Sequence, residues 1–128
     1  MPTEHWKPEP DEHDYPAASD YLSLLLRDAE VTAAVDALRA APLTHRKAKD
    51  LLRASTLPLL PPDNIHVKKD LAKVKSGKLL SPVLLLRGSL DGGWPLTIAD
   101  GYHRVCASHD LDEDADIPCR LIEWKPTA

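Results

Sequence analysis

The sequence lacks any run of about 18 apolar residues, which excludes a helical membrane span. Its first residues, MPTEHWKPEPDEHDYP, lack the cationic start, apolar stretch and small-residue cleavage site of a secretory signal, so a cytoplasmic protein is expected. Only two cysteines occur, Cys106 and Cys119. They are too few for a disulfide framework and are not paired as zinc-binding CxxC motifs, so a reducing compartment suits them as buried thiols. Neither GxxxxGK[ST] nor GxGxxG is present, which excludes a P-loop and leaves no dinucleotide fingerprint.

What is present is enough apolar material for one modest core: 128 residues, of which 43% are hydrophobic. A chain of this size removes about two-thirds of its unfolded surface from water. The net charge of -4 conceals an uneven distribution. Residues 1 to 20 carry one lysine against six acids, residues 43 to 87 carry ten Lys and Arg against three Asp, and residues 88 to 128 carry three basic residues against eight acids. A basic middle block attracts phosphate on a nucleotide or a nucleic acid, and reads equally as a solvated helix face.

Residues 1–18 are acidic and proline-bearing, with Trp6 and Tyr15 as their only large apolar groups, so they read as a disordered arm, the alternative being that these aromatics dock on the domain or on a protein partner. From Ser19, Leu22, Leu25, Leu26, Val31, Val35 and Leu38 recur at helical spacing up to Pro42. THRKAKDLLRAS then reads as a short basic helix, which completes a helical hairpin over residues 19–56 that packs on the remaining domain. TLPLLPPDN reads as extended or as an edge strand. Val67, Leu71 and Val74 mark a lysine-rich helix closed by Gly77. SPVLLLRG is a continuous apolar run typical of a buried strand, SLDGGW a glycine turn, and PLTIA a second strand. A helix on Val105, Ala107 and Leu111 and a final strand, IPCRLIEW, follow.

The stretch TIADGYHRVCAS concentrates the chemistry. With Asp100 as N-cap, the free N–H groups of the first helical turn and the positive end of the helix dipole form a seat for phosphate. Gly101 then admits the anion close to the backbone, and His103 and Arg104 add a donor and a planar cation. Asp100 either caps the helix or holds a divalent cation that accompanies phosphates. The purely structural alternative is a cap, a turn and a surface charge. Tyr102 is placed to pack on a base or substrate. Lys68, Lys69, Lys73 and Lys75 either join Arg104 in one basic cleft or face solvent. His103, Cys106 and His109 have a spacing that permits metal coordination, yet no fourth ligand is evident, so no metal site is assigned. With no base placed beside either cysteine, nucleophilic catalysis is not expected.

These segments, HVKKDLAKVKSGKLLSPVLLLRG, PLTIADGYHRVCASHDL and IPCRLIEW, together resemble the ParB/sulfiredoxin superfamily. The resemblance spans roughly residues 57–126. It implies an α+β fold, a small mixed sheet with helices, in which a G-x-H-R turn binds nucleotide phosphates. On that basis Asp100, Gly101, Tyr102, His103, Arg104, Lys68 and Lys69 are the expected site, with ATP or CTP as ligand, Mg2+ as companion ion, and phosphoryl transfer or nucleotide hydrolysis as the expected chemistry. Tyr102 occupies the place of the reactive cysteine of sulfiredoxins, which argues against sulfinic-acid reduction. A single Arg104 and the chain length argue against a complete ParB clamp. Asp63 and Asp70 are the nearest carboxylates outside the turn for a kinase-like role, although neither matches by motif. Two other classes remain open: a DNA- or RNA-binding or regulatory module on the basic block 43–87, and a protein-interaction domain that uses the acidic arm.

Overall fold

The computed structural model describes residues 5–124. The first four residues of the expected arm and the last residues of the expected domain, 125–126, lie outside this range. Among the described residues the chain is α+β, with five helices and one mixed four-stranded sheet.

Four strands with helices on both faces form the frame on which the site is built. Strand β1 (Leu43–Lys47) pairs antiparallel with β4 (Asp116–Ile122), β4 runs parallel to β2 (Val83–Leu86), and β2 pairs antiparallel with β3 (Thr97–Asp100). The sheet order is therefore β1-β4-β2-β3. β2 is buried at all four positions, as its unbroken apolar run predicts for a strand covered on both faces. On one face Val83, Leu85, Ile98, Ile117 and Cys119 meet α3 (Ala48–Ser55), α4 (Ile65–Lys75) and α5 (Tyr102–Leu111). On the other, Leu84, Leu86, Ala99 and Ile122 meet α1 (Asp14–Leu22) and α2 (Asp28–Ala40).

The local chemistry explains most of the helix ends. Asn64 caps α4 by accepting the N–H groups of His66 at 3.0 Å and Val67 at 3.2 Å. Gly77 follows that helix at φ +83°, and Lys78 N–H reaches back to the Lys73 carbonyl at 2.8 Å, a left-handed termination. At the start of α2, the Arg27 N–H donates to the Glu30 carboxylate at 3.1 Å.

Several sequence expectations change in the first half of the chain. The expected arm is folded over its described part: Trp6 is buried, its neighbours bond to Leu80 through Lys7 N–H and His5 C=O at 2.7 Å each, and α1 begins at Asp14. Composition counts apolar groups but not where they dock, and here Trp6 and Tyr15 find the two faces of the core. The single helix expected from Ser19 to Pro42 is two, α1 and α2, separated at residues 23–27, where Leu24 and Leu25 face solvent. The expected second hairpin helix is instead β1 followed by a shorter α3. The Leu43–Lys47 backbone finds its hydrogen-bond partners on β4, which outweighs the local helical pattern. Residues 19–56 are thus part of the same sheet and core, not a separate hairpin added to it. TLPLLPPDN pairs with no strand, and its Leu57 and Leu60 pack on the core.

Candidate functional site

β3 delivers Asp100 to the end of the sheet, and the chain turns at once into α5. The turn needs glycine. Gly101 has φ +110°, and a Cβ there would lie 2.4 Å from Val83 Cγ1 and 2.8 Å from Arg104 Nη2. Its missing side chain therefore lets α5 close on β2 and on Arg104. Gly101, not Asp100, is the N-cap residue, and Asp100 directs its carboxylate elsewhere.

That partner is Arg104. Its Nη2 donates to Asp100 Oδ2 at 2.8 Å, and its Nη1 lies 3.6 Å from Asp14 Oδ1. The three side chains retain 15%, 18% and 3% exposure respectively, so the ion pairs are largely withdrawn from water. Asp14 is held in turn by the Asp11 N–H, 3.0 Å from its Oδ2, and Asp11 accepts a hydrogen bond from Lys7 Nζ at 2.7 Å. Burial raises the Asp100 pKa, against the pull of Arg104. The Asp11 carboxyl is lowered, chiefly by its hydrogen bond from Lys7.

Around this knot lies a cleft of about 620 Å³. α4 lines it with His66, Lys69, Asp70 and Lys73, positions i, i+3, i+4 and i+7 of one helix face. The N-terminal segment contributes Lys7, Asp11 and His13, the segment before β2 contributes Lys78, and the turn contributes Asp100, Gly101, His103 and Arg104. Five permanent cations thus face three carboxylates and three histidines. The His66 and His103 rings meet at a tilt of 48° with centroids 4.6 Å apart. Burial, then the neighbouring His66, pull the His103 pKa below its ordinary value, while burial raises that of Asp70 despite Arg104, Lys73 and His103 around it.

The structure brings together five of the seven expected site residues: Asp100, Gly101, His103, Arg104 and Lys69. Lys68 is exposed on α4 and does not line the cleft, because it lies off the stripe that runs from His66 to Lys73. Tyr102 also points elsewhere: its hydroxyl donates to the Pro58 carbonyl and so ties α5 to the proline-rich segment. Asp70, weighed as a carboxylate outside the turn, is in the cleft, and Asp63 is not.

Lys7, Asp11 and His13 carry no sequence signal for this location, since only the docking of Trp6 brings them there. His66 and Asp70 did have one, the polar stripe that flanks Val67, Leu71 and Val74. Cys106 and Cys119 are buried, and burial raises both thiols, Cys119 to about 11, so neither is a ready nucleophile. His103, Cys106 and His109 do not converge. Among the described residues the donors that do are Asp11, His13 and Asp14, whose carboxylates already face Lys7 and Arg104.

The basic block is divided by the fold. Lys47 and Lys49 face Asp114, Arg53 faces Asp50 and Arg87 pairs with Glu123, whereas Lys69, Lys73 and Lys78 enter the cleft. Among the described residues no helix is long and apolar enough to cross a membrane. Comparison of the chain with protein-family models, with curated proteins and with solved structures returned no match to any of the three.

Proposed function

We propose that the cleft at the start of α5 binds the phosphates of a nucleoside triphosphate, ATP or CTP, as the resemblance to the ParB/sulfiredoxin superfamily implies. The observation that carries this reading is convergence: Lys7, Lys69, Lys73, Lys78 and Arg104 come from four separate stretches of the chain to one cavity beside a helix N-terminus. A solubilising surface has no reason to gather its cations around a concavity. In this reading Lys69, Lys73 and His103 contact phosphate oxygens, and the first-turn amides of α5 add donors. Arg104, already committed to Asp100 and Asp14, fixes the turn and contributes its field rather than a free fork.

Mg2+ arriving with the triphosphate would be held chiefly by the phosphates themselves, since Asp100 is paired with Arg104 and Asp11 with Lys7, which leaves Asp70 as the uncommitted carboxylate of the cleft. The ion would supply charge neutralisation between phosphate oxygens. Asp70, with its raised pKa and cationic surroundings, is the carboxylate suited to accept a proton from a nucleophilic hydroxyl or water at this site. Calorimetric titration with ATP and CTP, with and without Mg2+, tests the reading. Saturable binding that weakens in a Lys69→Gln, Lys73→Gln variant supports it, and no heat of binding at about millimolar nucleotide overturns it.

A further inference from the structure

A second cavity, of about 600 Å³, lies at the opposite end of the β2–β3 pair from the cleft. The chain enters β2 just after Ser81 of the cleft and leaves it at Arg87 of this cavity, and it enters β3 from Pro95 and Leu96 of this cavity and leaves it at Asp100 of the cleft. The two cavities share no residue. This one has an apolar floor of Leu51, Leu85, Leu96 and Leu121. Its wall is the half-buried Trp94, held by a tight loop in which Ser89 N–H bonds to the Trp94 carbonyl at 2.8 Å. A Cβ on Gly92 would lie 1.7 Å from the Trp94 ring, so the indole is seated against bare backbone. Three guanidinium groups, Arg46, Arg53 and Arg87, stand around this apolar surface against one carboxylate, Asp50.

A concave, mainly apolar surface with a few convergent polar groups, at a volume within the range of about 300–1,000 Å³, is the form of a small-molecule site. An indole wall favours a planar ring, and an excess of guanidinium favours a carboxylate. Arg87 is engaged by Glu123, and Arg53 by Asp50 only at 3.8 Å, so Arg46 and Arg53 are the cations best placed for a ligand. We propose that this cavity is a second binding site, for a small aromatic carboxylate whose ring lies on Trp94 over the leucine floor and whose acid group meets Arg46 and Arg53.

The full-length protein is titrated with naphthalene-2-carboxylate, with tryptophan fluorescence and backbone amide shifts as readouts. Expected are a saturable change in fluorescence and shifts centred on Leu85, Gly93, Trp94 and Leu96. The neutral analogue 2-naphthalenemethanol, and the acid against an Arg46→Gln, Arg53→Gln variant, should each bind about tenfold more weakly. Both arginines are exposed, so that variant should fold. A Trp94→Phe variant should lose the fluorescence response, and a response that survives comes from another tryptophan and overturns the assignment. Equal binding of the alcohol, unchanged binding to the double variant, or no saturation at about millimolar acid also overturns it. Saturating ATP should leave the titration unchanged whether or not ATP itself binds. Competition by ATP would put the acid in the cleft beside α5 and sink the proposal while leaving the nucleotide reading standing.

Discussion

Arg104 and Asp100 face each other one helical turn apart across Gly101, joined at 2.8 Å, with Asp14 of the first helix closing the pair from the other side. The turn that resembles a phosphate-binding motif is therefore also a structural joint between α1, β3 and α5. Loss of the guanidinium leaves two partly or wholly buried carboxylates without their counter-charge. Arg104→Ala should destabilise the fold by about 3 kcal/mol. Urea denaturation followed by circular dichroism measures it, and a change near zero would show that the knot contributes only geometry.

Gly101→Ala adds a Cβ where Val83 already stands and forces a left-handed residue on alanine. The cost should be about 2 kcal/mol from backbone strain, with the steric clash added to it. A Val83→Ala partner change should recover part of the steric loss and none of the backbone loss. A double-mutant cycle on thermal midpoints separates the two.

His103 titrates in the folded state below its ordinary 6.5, chiefly because it is buried. As pH falls through that value the unfolded chain takes up a proton that the folded chain resists, so stability should fall below about pH 6.5 and continue to fall until the folded histidine also titrates. His5 is shifted the same way by burial and adds to the slope. His103→Gln should flatten the dependence without abolishing it, read from denaturant midpoints at about pH 7.5 and about pH 5.5.

Asp70 has the opposite signature. Burial raises its pKa from 3.8, so at neutral pH the folded protein carries a carboxylate that would be better solvated in the unfolded chain. Asp70→Asn should raise the denaturation midpoint at neutral pH, and the gain should shrink as pH falls below the folded pKa and be gone near 3.8. If Asp70 serves the chemistry proposed for the cleft, the same variant should lose activity while gaining stability.

Trp6→Ala should release the N-terminal segment, since Trp6 is the side chain that anchors it and two backbone bonds to Leu80 are its other ties. The loss should be about 3 kcal/mol, typical for a buried large aromatic. Hydrogen exchange should rise at the amides of Lys7 and Leu80, and nucleotide binding should weaken as Lys7 leaves the cleft.

The second half of the chain was legible because its signals are local. The apolar run of β2, the stop at Gly77 and the strand-to-helix turn at D-G-Y-H-R each act within a few residues and fall where they were expected, although Gly101 and not Asp100 caps α5. The first half was not legible in the same way. Leu43–Lys47 looks helical in isolation and becomes an edge strand because β4 offers it partners. Tyr102, adjacent to the turn, is drawn out of the site by Pro58, which is distant in sequence.

What the sequence by itself determined is the α+β class, the order of elements from α4 onward and the position of the turn, because periodicity, capping and glycine conformations are properties of neighbouring residues. Only the tertiary structure decided which charges share the cleft. Lys7, Asp11 and His13 enter it because Trp6 docks, Lys68 misses it by its position on the α4 face, and Arg104 is held by Asp14 across the fold. Such placements depend on packing between distant segments, and no local pattern encodes them.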